Sequence, residues 1–275
     1  MSPTLSTELF KSWVDFEAAS QRVTQRLNTL REPRQLMRFF LNYASWNGHF
    51  ANGVSSLSCL IGAQRDLFLE PGFARAVADR SNFVASHFFQ AAVDEYDDHI
   101  NPARDTHRCL AQACMLGMCE FLELGDAILN ETESTALLAI NGSVARNYAG
   151  LAAPERSLLE QVFWGMGYHL GSELLADQEF SLIDEHLRLK HADMAQHLMR
   201  TTKTLGGGTH RCYAWIGVHS GHGGGVEADH FDYAIEGATA ALKFLAARSH
   251  EVALAQIKSG FLAFAADHQR FFALE

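Results

Sequence analysis

At three places in this 275-residue chain, carboxylates and imidazoles stand where helical periodicity would bury them. That combination is the raw material of a metal site. The first place is Phe88-Phe89-Gln90-Ala91-Ala92-Val93-Asp94-Glu95-Tyr96-Asp97-Asp98-His99, where an apolar helix end turns acidic. Glu95 falls seven residues after Phe88 and so continues its apolar stripe. His107 follows twelve residues later and opens a helix whose apolar face is Leu110, Cys114 and Met118. The second place is a segment from Phe163 to Asp177 that is apolar nearly all round. His169, Glu173 and Asp177 share one of its faces at i, i+4 and i+8. The third is His219 to His230, in which Glu227 and His230 form the Glu-x-x-His pattern that helical bundles use to hold di-iron sites. Each place also has a plainer reading. The first reads as a solvated acidic helix end with a capping histidine, the second as a buried carboxylate with an ordinary partner, the third as a surface Glu–His pair.

Carboxylate and imidazole in an oxygen-rich shell suit non-haem iron or manganese better than a structural zinc site, which favours Cys and His. Six such ligands over two ions are what an O2-activating di-iron centre needs. Carboxylates bridge the ions, imidazoles supply neutral donors, and open positions remain for O2 and substrate.

The elements that must position these residues are helical almost throughout. Spacing predicts helices over about 5–30, 33–64, 71–98, 106–124, 131–148, 155–178, 180–202, 226–247 and 249–272. Asp105 reads as the N-cap of the fourth. Gly165, Gly167 and Gly171 each weaken a helix by about 1 kcal/mol relative to Ala, so their clustering predicts close packing against another helix or a ligand. No stretch reads as a convincing strand, with Cys212–Val218 the one weak candidate. The expected fold class is all-α: a single-domain helical bundle over residues 1–275, with an N-terminal helix over 1–30 and a core over 30–250.

Composition narrows the function. Twenty-two basic against 32 acidic residues give a net charge of -10, and no segregated basic patch exists to bind phosphate, so nucleic acid is not an expected partner. A hydrophobic content of 48% excludes disorder. No run of about 18 apolar residues is present, and the first residues lack the pattern of a signal peptide. Cys59, Cys109, Cys114, Cys119 and Cys212 are odd in number and form no CxxC pair, so they read as reduced cysteines of a cytoplasmic protein. Of the 14 histidines, His186, His191, His197, His250 and His268 lie in ordinary helical surroundings.

The motif order resembles the heme-oxygenase-like diiron oxidases and oxygenases, a helical superfamily shared with heme oxygenase, TenA-type thiaminases and the PQQ-synthesis oxidase. The resemblance covers about residues 30–250. It rests on Asp94-Glu95-Tyr96-Asp97 followed by His107 in HRCLAQACMLGM, on Glu173 in GYHLGSELLADQEF, and on Glu227 and His230 in VEADHFDYA. The family's last cluster has a histidine four residues before its acid. Here that position is Gly223, and His222 stands one residue earlier. Either the glycine run lets His222 reach the metal, or Asp229 or His219 takes its place, or the second iron lacks that ligand and binds weakly.

The resemblance implies a bundle of about seven core helices. It also implies Glu95, His107, Glu173, His222, Glu227 and His230 as ligands of two irons (manganese being the alternative), with Glu173 as bridge. His169, Asp177 and Asp229 would support the ligands, and His49 would face the substrate. The implied activity is O2-dependent N-oxygenation, oxidative decarboxylation, C–C cleavage or nitrile formation on a small amino-acid-derived molecule in specialised metabolism. An external electron donor would serve it, and a homodimer is the expected assembly. The rival readings are a metal-independent TenA-like hydrolase using one of the clustered cysteines, a haem protein ligated by His49 or His87, and a non-catalytic helical binding protein.

Overall fold

Helices in this chain begin where a side-chain oxygen can take over backbone N–H groups that a first turn leaves without partners. Asp15, Thr106, Ser134 and Ser157 each accept a hydrogen bond from the backbone three residues on, and Ser157 and Glu160 form a reciprocal capping box. The structure is a computed structural model that describes residues 5–69, 79–96, 106–220 and 226–274. The side chains of residues 177 and 226–228 lie outside that description. The described helices are α1 (Thr7–Lys11), α2 (Phe16–Thr29), α3 (Pro33–Asn47), α4 (Phe50–Gly62), α5 (Arg80–Tyr96), α6 (His107–Phe121), α7 (Thr135–Tyr148), α8 (Leu158–Lys190), α9 (Ala192–Arg200), α10 (Ala214–His219), α11 (Val226–Phe244) and α12 (His250–Phe272). The all-α expectation holds.

Several expected boundaries move. The N-terminal helix is two, because Asp15 caps a fresh start by accepting from Ala18 N at 2.9 Å. The helix expected over 33–64 breaks at Gly48-His49. The break expected near residue 179 is absent, and α8 runs unbroken for 33 residues, about 50 Å. The cap of α6 is Thr106, whose hydroxyl accepts from Cys109 N at 3.1 Å, while Asp105 lies outside the described residues. A small antiparallel hairpin, β1 (Thr202–Leu205) and β2 (Gly208–Arg211), escaped the periodicity because its strands are four residues each. Gly206 and Gly207 make its turn at φ +57° and +87°, where side chains are strained. The weak strand candidate Cys212–Val218 lies mostly in α10.

Helix α8 is the spine. Phe163, Met166, Tyr168, Leu170, Phe180, Ile183 and Leu187 are fully buried on it, and α2, α7, α10, α11 and α12 all pack against it. The expected role of its glycines is borne out. A Cβ on Gly167 would stand 1.9 Å from the Ile257 carbonyl oxygen, and one on Gly260 2.0 Å from that of Trp164. α8 and α12 therefore cross backbone against backbone.

Candidate metal centre

Four helix ends converge beside the middle of α8. α5 brings Asp94 and Glu95 in its last turn, α6 brings His107 as its first residue, α10 brings His219 as its last, and α11 brings His230 in its second turn. Glu95 Oε2 lies 3.1 Å from His107 Nδ1, and His219 Nε2 lies 3.2 Å from the same nitrogen. The three ligand atoms fall within 4.8 Å of one another. Two donors held at right angles on one ion, each about 2.1 Å from it, stand ~3 Å apart, so both spacings suit shared coordination. His107 and His219 are 5% and 1% exposed.

The tautomer of His219 follows from its other nitrogen. Nδ1 lies 2.6 Å from the Trp215 carbonyl oxygen, which can only accept, so Nδ1 carries the proton and Nε2 offers its lone pair toward His107. The ring is held flat against Phe180, with centroids 4.2 Å apart at 15°. A ligand whose far nitrogen is anchored in this way is the usual architecture around bound metals.

A second polar group adjoins the first through Asp94 and Glu95, which are neighbours in sequence. His230 Nε2 is 2.8 Å from Asp94 Oδ2, and His230 Nδ1 is 3.5 Å from Glu173 Oε2. The other oxygen of Glu173 is 3.2 Å from His169 Nδ1, and Tyr148 Oη is also 3.2 Å from that nitrogen. Ser172 Oγ donates to the His169 carbonyl at 2.7 Å, which leaves Tyr148 to donate its hydroxyl proton to Ser172 at 2.7 Å. Glu173, buried in α8, thus lies between two imidazoles.

Glu95, His107, Glu173, His230 and His169, all expected at a site, meet in this region. His219, which the sequence offered only as a stand-in for His222, lies instead beside Glu95 and His107. Asp94, Tyr148 and Ser172 also take part without having been singled out as site residues. His222 lies outside the described residues, as do the side chains of Glu227 and Asp177, although both backbones are helical. Asp229 is exposed, so it does not share the buried surroundings of His230. His49 stands apart at the head of α4. Burial lowers its pKa, with Glu133 raising it and Arg108 lowering it.

A separate buried network was missed. Tyr43 donates to Glu179 Oε2 at 2.9 Å, and His268 Nε2 lies 3.0 Å from Glu179 Oε1, all three nearly inaccessible. His268 is therefore not in ordinary surroundings. Among the clustered cysteines, burial pushes the Cys114 and Cys119 thiols up, away from the thiolate a hydrolase nucleophile requires. His87 lies 3.6 Å from the Glu236 carboxylate and edge-on to Phe83. No described helix is long and apolar enough to cross a membrane. The chain matches no protein-family model, no curated protein and no solved structure at a significant level.

Proposed function

We propose that the protein is an O2-dependent non-haem iron oxidoreductase acting on a small amino-acid-derived substrate, its two irons held where α5, α6, α10 and α11 meet α8. The observation that carries this reading is the convergence of Glu95, His107 and His219, with the lone pair of His219 set by the Trp215 carbonyl. These three would hold the first ion. Asp94, Glu173 and His230 would supply the second, with Glu227 the further ligand that the sequence suggests. Bound there, iron supplies the electron transfer to O2 that protein side chains cannot. The chain contributes position and exclusion of water. His169, itself held by Tyr148, positions the Glu173 carboxylate, and Phe180 fixes the ring of His219. Manganese fits the same donors, and an external reductant would be needed.

Anaerobic loading with Fe(II), gel filtration and metal analysis test the proposal. Two irons per chain are expected, falling to one or none in Glu173→Ala and in His219→Ala. A chain that retains no iron overturns it. One observation favours a second reading. Among the described residues, Glu95, His107 and His219 are the only group of three whose ligand atoms gather within coordinating range. Two histidines and one carboxylate suffice for a mononuclear iron site. One iron per chain, unaffected by Glu173→Ala but lost in His219→Ala, would establish that reading instead.

A further inference from the structure

A cavity of about 670 Å³ is an open groove that none of the candidate metal residues lines. It runs between α3, α6 and the segment leading into α7. His107 turns inward on α6, whereas Arg108, Ala111, Gln112 and Met115 turn toward the groove. Leu41, Met115, Leu116 and Leu129 give it an apolar lining.

Its charges are uneven. Glu131 is taken by Arg34 and Arg38, and so is neutralised locally. Arg108 makes no ion pair among the described residues; one guanidinium nitrogen donates to the Ala44 carbonyl at 3.3 Å. Glu133 accepts from the Ser45 hydroxyl, which also accepts from Asn141 at 3.0 Å, but it meets no cation within ion-pairing distance among the described residues. Arg108 donates to the Ala44 carbonyl and Glu133 accepts from the next residue, Ser45, so both charges sit at the same end of the groove. One cation and one anion thus share an apolar-lined groove without neutralising each other.

We propose that this groove binds a small zwitterion with an apolar side chain: its carboxylate on Arg108, its ammonium on Glu133, its side chain along Leu41, Met115 and Leu129. The site is independent of the metal centre and does not rest on the iron reading. Charge-assisted hydrogen bonds at both ends make the ligand's two charges jointly necessary.

Isothermal titration of the full chain, without added metal, compares L-phenylalanine with 3-phenylpropionate and 2-phenylethylamine, each of which lacks one charge. L-Phenylalanine is expected to bind at least about tenfold more tightly than either analogue. Arg108→Gln is expected to weaken L-phenylalanine binding to the level of the amine while leaving the amine's own affinity unchanged. Glu133→Gln mirrors this with the acid. Equal binding of the three compounds by the unmodified chain overturns the proposal without recourse to any variant. No binding at about millimolar L-phenylalanine overturns it too, as does full affinity in both variants.

Discussion

Whether a histidine can hold a metal depends on which nitrogen carries the proton, and at His219 a backbone carbonyl makes that choice. His186 shows a different constraint. Burial, with the added repulsion of His191 and Lys190, brings its pKa down to about 4, and its Nε2 has no hydrogen-bond partner among the described residues. In the unfolded chain the same imidazole titrates near its ordinary value of about 6.5. Between these values the unfolded state binds the extra proton, so stability is complete above pH ~6.5 and declines as the pH falls toward ~4. Thermal melts from pH 7 to pH 5 should show a falling Tm, and His186→Gln should flatten that fall; an unchanged slope would rule His186 out as the cause. The candidate site was legible wherever a carboxylate interrupts an apolar stripe, as at Glu95 and Glu173. His219 was harder to choose because its qualification is a tautomer, and that depends on a carbonyl four residues away whose position only the fold supplies. Tyr148 and Ser172 carry no signal of their own, since a hydroxyl among apolar residues becomes informative only when its partner is known.

The helices decide which of these residues meet. The expected break near residue 179 is absent, and in the unbroken α8 Glu179 is buried and faces Tyr43 and His268. Propensity reads local preference, and a buried helix continues through weak positions when tertiary packing covers them. Helix type and approximate extent were therefore legible, while the two-residue break at Gly48-His49 and the four-residue strands were not. The glycines of α8 were read correctly because a cluster of costly residues demands a packing reason. That reason predicts a sharp contrast. Gly167→Ala should destabilise by about 3 kcal/mol or more in urea unfolding, because its methyl would collide with the Ile257 carbonyl and α12 would have to withdraw. Gly125→Ala, where a Cβ would meet nothing within 4 Å, should stay within about 0.5 kcal/mol of the parent. Equal losses at the two positions would refute the backbone crossing.

At the scale of the molecule, a metal held by ends of separate helices is also a clamp on the fold. None of α5, α6 and α10 could present its proposed ligand if the bundle opened, so an ion at the proposed site would bind the folded chain in preference to the unfolded one. With Fe(II) at about a hundred times its dissociation constant, the folded state gains about 2.7 kcal/mol. For a chain of this length that corresponds to a Tm rise of about 5 °C. Anaerobic calorimetry with and without Fe(II) should record the rise, and His219→Ala should reduce or abolish it. No rise in the parent chain would mean that Glu95, His107 and His219 form a hydrogen-bond network alone. The crossing of α8 and α12 bears on this in a mechanical way. Where two backbones touch with no side chain between them, the helices can come no closer, and the contact fixes their spacing. Glu173 is six residues from Gly167, roughly 9 Å along the axis, whereas Lys190 at the far end is roughly 35 Å away. The carboxylate between two imidazoles therefore lies close to the point where the spacing of α8 and α12 is fixed, and the far end of α8 lies well away from it.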